Sequence, residues 1–175
     1  MVGCHDCIAT NGGCCNTIFT DDWKIILLPT EVKRISKLTG KAPSEFIDTS
    51  PLAPSQLRWY VSRYAVEDPL WVRLVSHWTH PAGLKNTCPF LVPNGCSFPY
   101  QDKPFLCQVY PLDFNITWGN IFLPKETSCP VGQSATSIKE VLAYFRDDWE
   151  GLQRRFRVFR RHFVSLLRTI SASST

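Results

Sequence analysis

The chain contains no long apolar run. Stretches such as Ile25–Leu28 are typical, far short of the ~20 residues that a membrane-spanning helix requires. It also lacks the opening of a secretory signal, which combines a basic start, ~7–15 apolar residues and a small-residue cleavage site. Cys4, His5, Asp6 and Cys7 stand in that place, followed by the polar turn Thr10-Asn11-Gly12-Gly13. The expectation is a soluble, cytoplasmic protein in a reducing compartment, without a transmembrane segment. Nucleotide and hydrolase signatures are missing too: there is no GxGxxG, no P-loop and no GxSxG. Nor is charge of one sign in large excess. The formal net charge of +4 counts every thiol as neutral, whereas metal ligation requires thiolates. Eight thiolates held by two divalent ions would cancel it, so the overall sum does not indicate a nucleic-acid partner.

Cysteine, by contrast, is abundant: eight residues, four of them in CHDCIATNGGCC (Cys4, Cys7, Cys14 and Cys15) and four spread over Cys88, Cys96, Cys107 and Cys129. A chain of 175 residues that is 44% hydrophobic and 13% aromatic can build a conventional core, so the pressure toward disulfide stapling seen in small secreted domains is weak. Clustered cysteines in a reducing compartment point instead to metal. Two thiolates spaced as Cys4-x2-Cys7 reach one ion across a tight turn, and Gly12 and Gly13 let the following loop turn its N–H groups toward sulfur. Successive side chains of an extended strand point to opposite sides, so Cys14 and Cys15 serve different sites or one of them is spare.

All eight are candidate ligands, for one [4Fe–4S] cluster or for one or two zinc ions, with not every thiol required. Zinc ribbons pair two CxxC knuckles, and only one is present. The long intervals between the later cysteines suit an iron–sulfur cluster, which accepts dispersed thiolates, and Cys88-Pro89 and Cys129-Pro130 carry the Cys-Pro of bacterial ferredoxins. An all-sulfur donor set argues against magnesium and calcium. His5 reads as a solvated loop residue, and His77 and His80 as residues facing opposite ways. Asp21-Asp22 and Asp147-Asp148 read as solvated or capping groups. No thiol has a base beside it that would mark it as a nucleophile.

The fold class expected is α+β: a small, irregular, metal-organised domain over residues 1–133 with short helices and a β-hairpin, and a long amphipathic helix over 134–175 packed on it. LPTEVKRISKLTG predicts a helix capped by Thr30, with Val32, Ile35 and Leu38 inward and Gly40 as its stop. A second short helix is expected over Pro43–Asp48, and a loop over 49–56. RWYVSRYAV and WVRLVSHWT, rich in Trp, Tyr and Val, read as strands divided at Asp68-Pro69. Five prolines exclude one long helix or a central strand from residues 88–114. FNITWGNIFLP reads as a hairpin turning near Gly119-Asn120. Ser137-x-x-Glu140 is a capping box, after which apolar residues recur in steps of three and four from Ile138 to Ile170, with Gly151 as a possible kink. Arg154, Arg155, Arg157, Arg160, Arg161 and Arg168 lie opposite that stripe. A basic amphipathic helix can bind acidic membranes, RNA or a protein groove; the plainer reading, favoured here, is a helix docked on its own core with a solvated basic face.

The order Cys-x2-Cys…Cys-Cys, then LPTEVKRISKLTGKAPSEF, CPFLVPNGCSFPYQDKP and CQVYPLDF, resembles the YkgJ-like cysteine-cluster family over about residues 4–130. That family is described as a zinc- or iron-chelating domain. The resemblance implies metal binding through the cysteines, and it admits an enzyme reading because the family includes flagellin lysine-N-methylases, although no S-adenosylmethionine motif is evident. Lys103 and Gln108 stand where the family usually has arginine, so any anion or cluster contact made by those arginines is weakened here. The C-terminal helix lies outside the family motif.

Overall fold

Proline sets where helices begin. Its fixed φ and missing N–H suit the first helical position, where the donor has no partner anyway, and Pro29, Pro43, Pro54, Pro69 and Pro130 each open one. The computed structural model describes residues 25–64, 67–78, 80–85, 88–93, 95–125 and 129–172. In chain order these form α1 (Pro29–Thr39), α2 (Pro43–Phe46), β1 (Ile47–Asp48), α3 (Pro54–Tyr64), α4 (Pro69–His77), β2 (Gly83–Leu84), β3 (Leu91–Val92), β4 (Gly95–Cys96), a 3-10 turn at Tyr100–Asp102, α5 (Phe105–Val109), β5 (Asp113–Asn115), β6 (Asn120–Phe122), α6 (Pro130–Ser134), α7 (Ile138–Tyr144) and α8 (Trp149–Ala172). The strands make three separate antiparallel pairs, β1 with β2, β3 with β4 and β5 with β6. The architecture is α+β.

The stretch expected as two strands is helical. Trp, Tyr and Val favour strands only as surface-packing residues, and here the local start signals prevail. Pro54 opens α3; the Asp68 carboxylate caps α4, with Pro69 at its first position. Trp71, Leu74 and Val75 then fall on one helical face and are buried. The indole of Trp71 stacks on Phe163 of α8 at 5.3 Å between ring centres.

Other boundaries moved less. α1 ends as expected at Gly40, whose φ of +70° suits glycine, but Leu28 rather than Thr30 occupies its N-cap position. Ile35 is buried, whereas Leu38 is half exposed (51%). α2 stops at Phe46 because residues 47 and 48 pair with Leu84 and Gly83. The segment 88–114 breaks into a two-residue hairpin, a 3-10 turn and the five-residue α5. The hairpin at 113–122 forms as expected, with Gly119 at φ +74°.

The C-terminal helix divides earlier than Gly151. Ser137 caps α7 by accepting the Glu140 N–H, and the chain turns at Arg146, whose φ is +55°. Asp148 then caps α8 through the Gly151 N–H at 2.6 Å. Gly151 itself lies buried inside α8. The expected apolar stripe holds, except that Leu167 takes the buried place rather than Leu166 and Trp149 is exposed.

Two apolar clusters result. In the larger, Leu152, Phe156, Phe159, Phe163 and Leu167 of α8 meet Trp71, Phe105, Phe114 and their neighbours. The smaller consists of Leu27, Ile35, Phe46, Leu84 and Phe90. Backbone entering at residue 25 is fixed on this smaller cluster: the Ile25 carbonyl accepts the Leu84 N–H at 2.9 Å and the Leu27 N–H donates to Ala82 at 2.7 Å.

Candidate metal centre

The four later cysteines come from three places in the fold. Cys88 precedes the β3–β4 hairpin, and its carbonyl accepts the Leu91 N–H at 3.0 Å. Cys96 ends that hairpin, opposite Leu91. Cys107 sits in α5, whose alternation is decisive: Phe105 and Val109 belong to the larger cluster, while Cys107 packs on the smaller one. Cys88 packs on the same smaller cluster. The two thiols thus share one apolar support, each half-buried. Cys129 is buried at the N-cap position of α6 and belongs to neither cluster. Cys4, Cys7, Cys14 and Cys15, with His5 and Asp21-Asp22, lie outside the described residues. Among the described residues no three His, Cys, Asp or Glu side chains assemble into a metal-binding group.

What positions Cys107 is a pair of charged residues on α1 that sequence reasoning left unassigned. The buried Glu31 carboxylate accepts the Leu28 N–H at 2.9 Å, closing the start of its own helix, and the Phe105 N–H at 2.7 Å, closing the start of α5. One turn on, Arg34 donates to the carbonyls of Asp102 and Lys103 at 2.7 and 2.9 Å. α1 therefore grips the chain on both sides of Pro104, immediately before Cys107. The hint in the sequence was an acidic residue in a first helical turn, which by itself signals only a favourable helix dipole.

Burial pushes the Glu31 carboxyl above its ordinary value, against the opposing pull of the Phe105 and Leu28 N–H groups and the Arg34 charge. For a carboxyl raised on folding, its stabilising contribution is complete below the unfolded value and is lost as pH rises through the folded one. Burial thus makes the charged form the costly one. Urea melts of Glu31→Gln, which cannot titrate, should therefore gain on wild type between pH 4.5 and pH 7. A gap that is flat or closes as pH rises would contradict this.

Gln108, standing where the resembled family usually has arginine, is turned to internal use: its amide donates to the carbonyls of Lys103 at 2.6 Å and Gln101 at 3.1 Å. His77 and His80 stay exposed, their Nδ1 atoms within 2.8 and 3.3 Å of the carbonyls of Arg73 and Thr49. Asp148 caps α8, and Asp147 pairs with Arg155, which also lies over the Tyr100 ring. Arg160 donates to the carbonyls of Ile116 and Thr117. Two of the six arginines of the basic face are thus structural. No helix among the described residues is long and apolar enough to cross a membrane. No family model, curated protein or solved structure shows a significant match to the chain.

Proposed function

We propose that the chain is a cysteine-cluster metal-binding protein of the YkgJ-like kind, holding a [4Fe–4S] cluster or zinc through thiolates drawn from Cys4, Cys7, Cys14, Cys15, Cys88, Cys96, Cys107 and Cys129. The observation that carries it is the convergence of Cys88 and Cys107 on the small cluster of Leu27, Ile35, Phe46, Leu84 and Phe90. The N-terminal cysteines reach the described fold through Ile25, which is hydrogen-bonded to Leu84, just upstream of Cys88. The described cysteines do not complete a site alone, so the proposal requires the N-terminal thiolates to supply the remaining donors. An all-thiolate set matches the softness of zinc and iron–sulfur centres and not that of calcium or magnesium. A cluster would supply one-electron chemistry, and zinc a cross-link or a Lewis acid.

Metal analysis with a visible spectrum on protein purified without oxygen tests the reading. Iron with acid-labile sulfide and a band near ~400 nm that dithionite bleaches would identify a cluster; stoichiometric zinc in colourless protein would identify the other option. Because a metal held by the native state adds its binding energy to folding, chelation should abolish hydrogen-exchange protection across residues 84–130. Protein that carries neither metal, or whose melting point ignores chelators, would overturn the proposal.

A further inference from the structure

The positive charge of this chain resides in one helix. α8 carries six arginines and one glutamate, a net +5, which leaves −1 for the rest of the chain, with 13 basic and 14 acidic residues. Arg155 and Arg160 are engaged within the fold. The other four, Arg154, Arg157, Arg161 and Arg168, are exposed, and at 3.6 residues per turn they fall within an arc of about 60° along about 21 Å of helix. Among the described residues none of them pairs with a carboxylate. Glu150 stands one turn ahead of the stripe.

Beside this stripe the β5–β6 hairpin holds up a tryptophan. Trp118 is 75% exposed, the most exposed large apolar residue described, and the turn that carries it is fastened on every side. The Asp68 carboxylate accepts the N–H groups of Ile116 at 2.6 Å and Thr117 at 3.1 Å. Asn115 accepts the Trp118 N–H through its side chain at 2.7 Å and the Gly119 N–H through its carbonyl at 2.9 Å. Arg160 binds the carbonyls of Ile116 and Thr117 at 2.6 and 3.1 Å, and on the helix surface it neighbours Arg157, three positions earlier, which in turn neighbours Arg161 four positions later. A hydrogen-bonded turn thus presents an exposed indole on the side of α8 where Arg160 joins the hairpin, with Arg157 of the exposed row one helical turn from Arg160.

We infer that this surface binds single-stranded nucleic acid, the arginines meeting phosphates and Trp118 stacking on an unpaired base. A cationic track with an aromatic platform is the general recipe for such binding. A bilayer fits less well, because an interfacial helix inserts its apolar face and that of α8 is consumed by the core. A duplex offers Trp118 no open base.

The test is fluorescence anisotropy of the full chain with labelled U-only RNA and T-only DNA strands of about 20 nucleotides, long enough for one binding site. A duplex of the same length and phosphatidylserine vesicles run alongside. Either single strand should bind, with a salt slope of about −2 to −3, the value for three or four neutralised phosphates. Arg157→Glu/Arg161→Glu should weaken binding about tenfold or more and flatten that slope. Trp118→Ala should weaken it about fivefold or more at unchanged slope, and Trp118→Tyr should retain most of it. Circular dichroism and melting temperature verify that each variant is folded; Trp118→Tyr keeps the platform testable if the alanine variant is not. No binding at low salt, indifference to Trp118→Ala, or duplex or vesicles bound as tightly as the strands would overturn the inference.

Discussion

Asp68→Ala is expected to destabilise the protein by about 3–5 kcal/mol, as when a buried hydrogen-bond network loses the acceptor that its neutral donors share. The carboxylate is 1% exposed and holds two elements distant in sequence. Oδ1 caps α4 through the Trp71 N–H at 3.4 Å and accepts the Thr117 N–H at 3.1 Å and hydroxyl at 2.8 Å; Oδ2 accepts the Ile116 N–H at 2.6 Å. Alanine would leave the loop N–H groups without their acceptor in the interior, at about 1–3 kcal/mol each, and would remove a helix cap worth about 1 kcal/mol. The cap bond is the longest of the four, so the loop should dominate. Asp68→Ser, which can cap α4 but cannot span to residues 116 and 117, should recover only the smaller part in urea melts. Recovery of most of the loss by serine would show that Asp68 acts mainly as a cap. The same substitution bears on the nucleic-acid surface: removing a negative charge should tighten binding to phosphate on charge alone, whereas loosening the turn under Trp118 should weaken it.

Asp68 also shows where sequence reasoning reached and where it stopped. Asp68-Pro69 is visible as punctuation, but punctuation between what depends on the flanking residues, and Trp, Tyr and Val are ambiguous between a strand and a buried helix face. The cap and the proline at the first helical position were the decisive local signals. The α8 stripe was legible from Leu152 to Phe163, because a sustained three-and-four repeat has no competing strand reading, and it slipped by one residue beyond, where Leu167 rather than Leu166 is buried. The cysteine positions were legible by count and spacing. What holds them was not: Glu31 reaches an N–H 74 positions away, and no local pattern encodes a partner that only tertiary folding brings within reach. Arg155 and Arg160 were hidden for the same reason, since a basic helix face looks uniform until the hairpin and Asp147 select two of its members.

Phe105→Ala should cost about 3–5 kcal/mol, as expected for a large aromatic removed from a core that cannot close over the gap. Its ring stacks on Phe159 at 4.4 Å and lies 5.6 Å from both Phe156 and Phe114, so the cavity would open between α8 and the β5–β6 hairpin, two elements each braced elsewhere. Leu106, only partly buried at the edge of that cluster, should tolerate alanine with a much smaller loss. The consequence reaches the proposed metal centre because α5 is a single short turn with two loyalties: Phe105, with Val109, anchors it to the larger cluster, and Cys107 packs on the smaller one, as Cys88 does. With the Phe105 ring gone, Val109 would be the buried apolar contact left to α5 on the larger cluster, and the Glu31 bond to the residue-105 N–H and the Arg34 bonds to Asp102 and Lys103 would carry more of the positioning of Cys107. Metal should then leave Phe105→Ala faster than wild type under a chelator at a temperature where both remain folded, and Leu106→Ala should lose it at the wild-type rate. Equal loss from Phe105→Ala and wild type would mean that Cys107 is not a ligand whose position α5 governs, and the donor set would have to be sought among the remaining cysteines.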